Sequence, residues 1–266
     1  MILVNYRCAD HIEARLRSGV FGPSDEVLIV DNGSDPERVS EWESRYGVRA
    51  VLLASNVGFA AAVNKAVAVS ERSAPILLLN PDLVLTGAVL DALVAQLGDD
   101  DGPDGIAPLL LDGGGGVQVG AAGGPLTLAA VAGYFLMVSH LLPRVRGVFL
   151  TRRQLTSGTQ PSWLCMACLL VRADVFDRFG PVPEDELVYG EDLAWGTAAT
   201  DAGARFALAR ELTAVHAQGA SGGSARWVAA FERTLRRRLP PAQGTVAVLC
   251  VRIGLGARRL VGRRVD

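Results

Sequence analysis

The sequence predicts an α/β protein built on a mostly parallel central sheet with helices on both faces. Three observations carry this. Short apolar, β-branched runs alternate with helix-like segments over the first hundred residues, and these runs end in polar clusters. An apolar fraction of 50% in 266 residues is also ample for a sizeable core.

Met1 to Tyr6 is an apolar run, and Asp10 to Ser18 has helical composition. Glu26 to Val30 reads as a second strand because β-branched residues suit a pleated, buried surface, and it stops at the turn-forming Asp31-Asn32-Gly33-Ser34. A charged stretch, Pro36 to Tyr46, leads to a third run, Val48 to Leu53. Ala60 to Ser70 is helical in composition, Pro75 to Leu79 is another strand ending at Asn80-Pro81-Asp82, and Leu85 to Leu97 follows as a helix. Asp99 to Gly124 reads as loops around a short strand, Ile106 to Leu111; its Asp99-Asp100-Asp101 run is either a solvated turn or a cation site. In such sheets ligands bind beyond the carboxyl ends of the strands, so Asn5, Asp31, Asn56 and Asp82 are expected to converge on one crevice.

The net charge of −2 hides an asymmetry. From Arg226 to Asp266 ten arginines stand against Glu232 and Asp266, so this stretch carries +8 and the preceding body −10. A basic tail on an acidic body points to an anionic surface. No RNA-recognition or zinc-finger pattern accompanies it, so membrane phospholipid ranks above nucleic acid as the partner. Leu126 to Leu142 and Val246 to Leu255 are apolar but fall short of the roughly 20 residues a spanning helix needs, and they read as core or interfacial segments. The chain opens directly on a strand-like run without a charged leader, which points to the cytoplasm. Cys165-Met166-Ala167-Cys168 has redox or zinc spacing, yet it lies in an apolar run, so its cysteines read as buried and inert.

Several motifs carry chemistry. Asp31 at a strand exit is either part of an ordinary turn or a carboxylate for a nucleoside's base or ribose. Asn56-Val57-Gly58-Phe59-Ala60 places a glycine at a loop-to-helix junction, where a helix amino end favours phosphate; it matches neither a dinucleotide fingerprint nor a P-loop. Asn80 and Asp82, two residues apart at a strand exit, offer oxygen ligands to a hard divalent cation, or else simply start a helix. Glu191-Asp192 opens a helix-like stretch after a turn, where an acid serves as a general base or as a helix cap. His216 stands alone downstream, as a metal ligand or a core histidine.

Taken in order, Val-Asn-Tyr, Asp-Asn-Gly-Ser, Asn-x-Gly-Phe-Ala, Leu-Asn-Pro-Asp, Trp-x-x-x-Ala-Cys-Leu-Leu-Val-Arg, Glu-Asp and a late His resemble a family 2 inverting glycosyltransferase of the GT-A fold, in its bacterial rhamnosyltransferase-like branch. The resemblance covers about residues 1 to 221. It implies a Rossmann-like catalytic domain over 1–221, with a nucleotide-sugar-binding half (1–110) and an acceptor half (111–221), followed by a basic amphipathic tail over 222–266.

It also implies roles. Asp31 would hold the nucleoside, with Asn5, Asn56, Gly58, Asn64 and Asn80 around the nucleotide. Asp82 and His216 would bind Mg²⁺ or Mn²⁺ on the diphosphate, Asp192 would be the base, and Trp163 and Glu191 would flank the acceptor. The donor so implied is a nucleoside-diphosphate sugar such as dTDP-L-rhamnose; the acceptor is a glycan, lipid-linked or natural-product hydroxyl, met in the cytoplasm or on the inner face of the membrane. A catalytically silent sugar-nucleotide- or glycan-binding module is the alternative, with a nucleotidyltransferase behind it. Two positions depart from the pattern: Ala194 stands where relatives often carry a second Asp, and Met166 stands where they often carry Gly.

Overall fold

The computed structural model describes residues 1–19, 21–22, 25–99, 101–185, 188–216 and 224–260. Asp100 of the acidic run, the boundary between 221 and 222, and the last two arginines lie outside the described residues.

The first half alternates strands and helices: β1 (Ile2–Asn5), α1 (Ala9–Arg17), β2 (Leu28–Asn32), α2 (Pro36–Tyr46), β3 (Arg49–Leu53), α3 (Phe59–Val69), β4 (Ile76–Leu79), β5 (Leu83–Val84), α4 (Gly87–Gly98) and β6 (Gly105–Leu111). The second half runs β7 (Ala122–Gly123), α5 (Leu128–Phe135), α6 (Val138–Leu141), α7 (Arg152–Thr156), β8 (Trp163–Leu164), β9 (Cys168–Val171), α8 (Val175–Phe179), α9 (Glu191–Asp201), β10 (Phe206–His216), α10 (Ser224–Arg238) and α11 (Pro241–Leu260).

Eight strands form one sheet in the order β3-β2-β1-β4-β9-β6-β10-β5, while β7 and β8 pair separately. β1, β2, β3, β4, β6 and β10 share one direction; β9 and β5 run against it. The sheet is therefore mostly parallel, as the apolar runs predict. The antiparallel β9, Cys168–Val171, is the part of the Ala-Cys-Leu-Leu-Val-Arg motif that enters the sheet, between β4 and β6.

Residues alternate along each strand, so each strand feeds two apolar layers. Ile2, Leu28, Val30, Ile76 and Leu78 pack with Ala62, Val63 and Ala66 of α3 and Trp195 of α9. Leu3, Ile29, Leu77 and Leu79 face the other way, onto Ile12 of α1, Trp42 of α2 and Leu93 of α4. A third cluster joins Val131 and Phe135 of α5, Phe149, Trp163 and Leu193 to Phe231 and Leu235 of α10 and Val248 and Val251 of α11. The carboxyl-terminal hairpin thus packs directly on the sheet-bearing body. The acidic run lies before β6, at the end of the sheet away from the polar strand exits; the backbone carbonyls of Asp99 and Asp101 bind Arg172 and Arg205.

Candidate active site

The carboxyl ends of β1 and β2 lie in register, with Asn5 opposite Asp31. Asn5 donates to Asp31 Oδ1 at 2.8 Å, and that oxygen also accepts from Ser34 Oγ (2.9 Å) and the Asp35 amide (3.0 Å). Asp31 Oδ2 accepts from the Ser34 amide at 3.0 Å. Both side chains are fully buried. A buried carboxylate is stable only with such donors, so Asp31 here organises the turn after β2.

Asn32, which the motif reading left without a role, does as much. Its Oδ1 accepts from the Val57 amide (2.9 Å), and its Nδ2 donates to Asn56 Oδ1 (3.0 Å) and the Gly58 carbonyl (3.3 Å). Asn56 in turn accepts from the Gly58 amide at 2.9 Å. The loop before α3 is thereby clamped to β2. Gly33 permits the approach: its φ is +72°, and a Cβ there would lie 2.5 Å from the Ser55 Cα. Asn64 goes elsewhere. Its Nδ2 donates to the Val182 carbonyl and Glu184 Oε1, each at 2.8 Å, and its Oδ1 accepts the Val182 amide at 2.9 Å. Asn64 thus tethers α3 to the segment before α9.

At the exit of β4 the Asn80 amide donates to the Ala167 carbonyl (2.7 Å) and the Leu83 amide closes the turn onto the Asn80 carbonyl (3.2 Å). β5 then pairs antiparallel with the end of β10, placing His216 opposite Leu83. This brings His216 Nε2 to 3.4 Å from Asp82 Oδ1, both side chains being largely shielded from solvent. His216 Nδ1 lies 3.1 Å from Oε1 of the buried Gln118, which follows β6. Donation from Nδ1 to that amide oxygen would leave Nε2, which faces the Asp82 carboxylate, as the nitrogen open to a cation. Gln118 sits in a Gly-rich loop with no motif to mark it.

The donor set suits a hard divalent ion in a particular way. Among the described residues no three His, Cys, Asp or Glu are grouped as a metal cage. Asp82 and His216 supply two ligands, and Mg²⁺ or Mn²⁺ bound to a diphosphate takes much of its shell from phosphate oxygens and water. The pair therefore fits a metal that arrives with its nucleotide.

The third part of the site is the amino end of α9. Tyr189 and Gly190 both have positive φ, 74° and 96°, and a Cβ on Gly190 would meet Thr234 Oγ1 of α10 at 2.5 Å. This turn delivers Glu191 and Asp192 in the first helical turn. Asp192 Oδ1 accepts its neighbour Leu193's amide at 2.7 Å, and the Cys165 thiol also donates to the carboxylate. Burial nonetheless dominates and pushes Asp192 up to about 6, while hydrogen bonds from the Leu193 amide, the Cys165 thiol and its own amide pull it down. Burial, then the neighbouring Asp192 charge, pushes the Cys165 thiol well above its usual range. Cys165 is thus a half-buried contact of the candidate base, beyond the inert packing its apolar setting predicted. Ala194, at the position of the missing second acid, is buried beside Thr234 and Arg237 in a narrow cleft between α9 and α10.

Trp163 does not border open space. It is fully buried, its Nε1 donates to the Val148 carbonyl at 3.0 Å, and it meets Phe149 edge-on at 5.7 Å. It supports α9 from beneath, where Gly196 packs against it. One short segment links the two halves: Ala167 holds Asn80, and Cys165 touches Asp192.

Residues 2–115 match the family model described as glycosyl transferase family 2. No curated protein matches the sequence significantly. Among solved structures the fold resembles the mannosyltransferase PcManGT from Pyrobaculum calidifontis, in complex with GDP-Man and Mn²⁺, with a TM-score of 0.62 and 16% identity over 99% of this chain and 75% of that one. It also resembles S. aureus TarS residues 1–349, with a TM-score of 0.56 and 14% identity over 97% of this chain and 72% of that one.

Proposed function

We propose that this family 2 glycosyltransferase, GT-A in fold, moves a sugar from a nucleoside-diphosphate donor to an acceptor hydroxyl with inversion, using Asp192 as general base. The observation that carries the reading is Asp192 itself. It is a half-buried carboxylate at a helix start, raised to about 6 by desolvation, joined through the Cys165–Ala167 segment to the turn that holds Asp82 against His216.

Single displacement needs one base and a stabilised leaving group. Asp192, ionised above its raised pKa, takes the acceptor hydroxyl proton as the oxygen attacks the anomeric carbon. Asp82 and His216 would hold Mg²⁺ or Mn²⁺, which when bound offsets the negative charge growing on the departing diphosphate. The first turn of α3 and the clamped 56–58 loop lie where the diphosphate would meet helix amides. Glu191 and Asn80 remain candidates for acceptor and nucleotide contacts respectively.

Within this reading the donor is dTDP-L-rhamnose, as the ordered motifs suggest, and the acceptor is a glycan, a lipid-linked carrier or a natural-product hydroxyl. The basic carboxyl-terminal region would meet the inner face of an anionic membrane. The structural neighbour with GDP-Man and Mn²⁺ supports the use of a nucleotide sugar and a divalent ion. The test is a panel of nucleotide sugars screened by thermal shift with Mn²⁺, followed by transfer assays on the donor found. A ligand that stabilises the wild type, with transfer lost in Asp192→Asn, supports the reading. Transfer equal in both proteins overturns the base assignment, and donor binding with no transfer to any acceptor class favours a silent binding module.

A further inference from the structure

α11 is apolar on two faces. One buries Ala247, Val248, Val251 and Leu255 against α5 and α10. The other presents Val246, Leu249, Ile253 and Leu260 to solvent, with Leu249 56% and Ile253 52% exposed. At 100° per residue these four fall within roughly 60° of arc, and Arg252 and Arg259 flank them about 60–80° round the helix from Leu249. A helix that merely covered the core would show water a polar face.

Charge selects what covers this surface. Between Ser224 and Leu260 eight arginines stand against Glu232 alone. Glu232 is already engaged by Arg252 in two hydrogen bonds, 2.9 and 2.7 Å. With Arg252 balanced by Glu232, a second copy packed symmetrically on the stripe would bring Arg259 of both copies together with no acid of the hairpin left to offset them. An anionic lipid surface meets both features, taking the apolar side chains into its acyl boundary and the guanidinium groups onto its phosphates. Among the described residues no helix is long and apolar enough to cross a membrane, so the helix would lie on the surface.

We propose that the outer face of α11 is a docking surface for an anionic lipid bilayer. This deepens the membrane contact in the functional reading by naming the face that makes it, and it stands apart from the sugar chemistry. The same hairpin touches the candidate base helix: Leu193 shares a core with Phe231 and Leu235, and Arg238 pairs with Asp185 ahead of α9. A bilayer under the hairpin would present a lipid-linked hydroxyl to the side of the protein that carries Asp192.

The test is co-sedimentation of the full chain with phosphatidylglycerol-containing vesicles and with pure phosphatidylcholine vesicles. The wild type is expected to bind only the former. Leu249→Ser with Ile253→Ser, and separately Val246→Ser with Leu260→Ser, should each weaken binding at least tenfold. Arg259→Gln should weaken it roughly fivefold, the factor expected of one arginine near an anionic surface. Nucleotide thermal shifts should remain at wild-type size, which separates loss of docking from loss of the active site. Should a serine pair fail to fold, Arg259→Gln and the salt dependence of wild-type binding decide the matter. Wild type that ignores anionic vesicles, or variants that bind as it does, overturns the proposal. So does a wild-type dimer in light scattering that the serine pairs dissociate, because the face would then belong to a second copy.

Discussion

His216 Nε2 lies 3.4 Å from Asp82 Oδ1, and its other ring nitrogen is held by Gln118. If this pair takes the metal, His216→Ala should abolish the Mn²⁺-dependent part of nucleoside-diphosphate binding. Gln118→Leu should weaken it about 10- to 100-fold, because a partner behind a metal-binding histidine sets its tautomer and orientation. Mn²⁺ titrations of the nucleotide thermal shift measure both. Nucleotide affinity indifferent to chelation would remove the metal from Asp82 and His216.

Asp192→Asn should lower turnover by about 10²- to 10⁴-fold, the usual worth of a general base, while leaving nucleotide binding intact. Steady-state kinetics beside thermal shift separate the two effects.

The raised pKa of Asp192 also predicts a sign for stability. The folded carboxyl holds its proton up to about 6, the unfolded one only to about 3.9. Between those values the folded state binds more protons, so the Asp192 contribution is greatest below about 4 and is lost as pH rises through 6. Asp192→Asn should therefore raise the melting temperature at pH 7, by a stabilisation on the order of 2 kcal/mol. A variant that melts no higher than wild type at pH 7 would show that Asp192 is not strained by burial.

Cys165 should be visible in the pH profile. Its thiol is one of the donors that lower Asp192, so Cys165→Ala should move the acid limb of kcat/KM to higher pH, and Cys165→Ser should move it back. A limb that stays in place in both variants would leave Cys165 as packing.

Gly33→Ala should destabilise the fold by about 1–3 kcal/mol, since a side chain there meets the Ser55 backbone at a positive φ. Urea denaturation measures it, and the variant should also weaken nucleotide binding by loosening the 56–58 loop.

The βαβ order of the first hundred residues was legible because each strand is a compact apolar run ended by turn chemistry, and both signals are local. The polar exits Asn5, Asp31 and the Asn80–Asp82 turn were found for the same reason. The partners of Asn64 and Trp163 were not legible, because their motif positions say nothing about which neighbour fills their bonding and packing needs. Asn64 spends its amide on Val182, and Trp163 spends its ring on Phe149 and Gly196. Asn32, Gln118 and Cys165 had no local signature of their importance, since each matters through a partner distant in the chain.

Composition and spacing alone were enough to mark the chain as a mostly parallel α/β sheet protein with an acid pair and a late histidine in reserve, since those properties reside in short segments. Whether the reserves met was a matter of pairing. The shift in register of β10 between Ala209 and Thr213, and its antiparallel contact with β5, bring His216 to Asp82. Burial behind Cys165 raises Asp192, and α10 closes over Ala194. Register, desolvation and long-range packing depend on what lies across the sheet, a relation that no stretch of sequence contains.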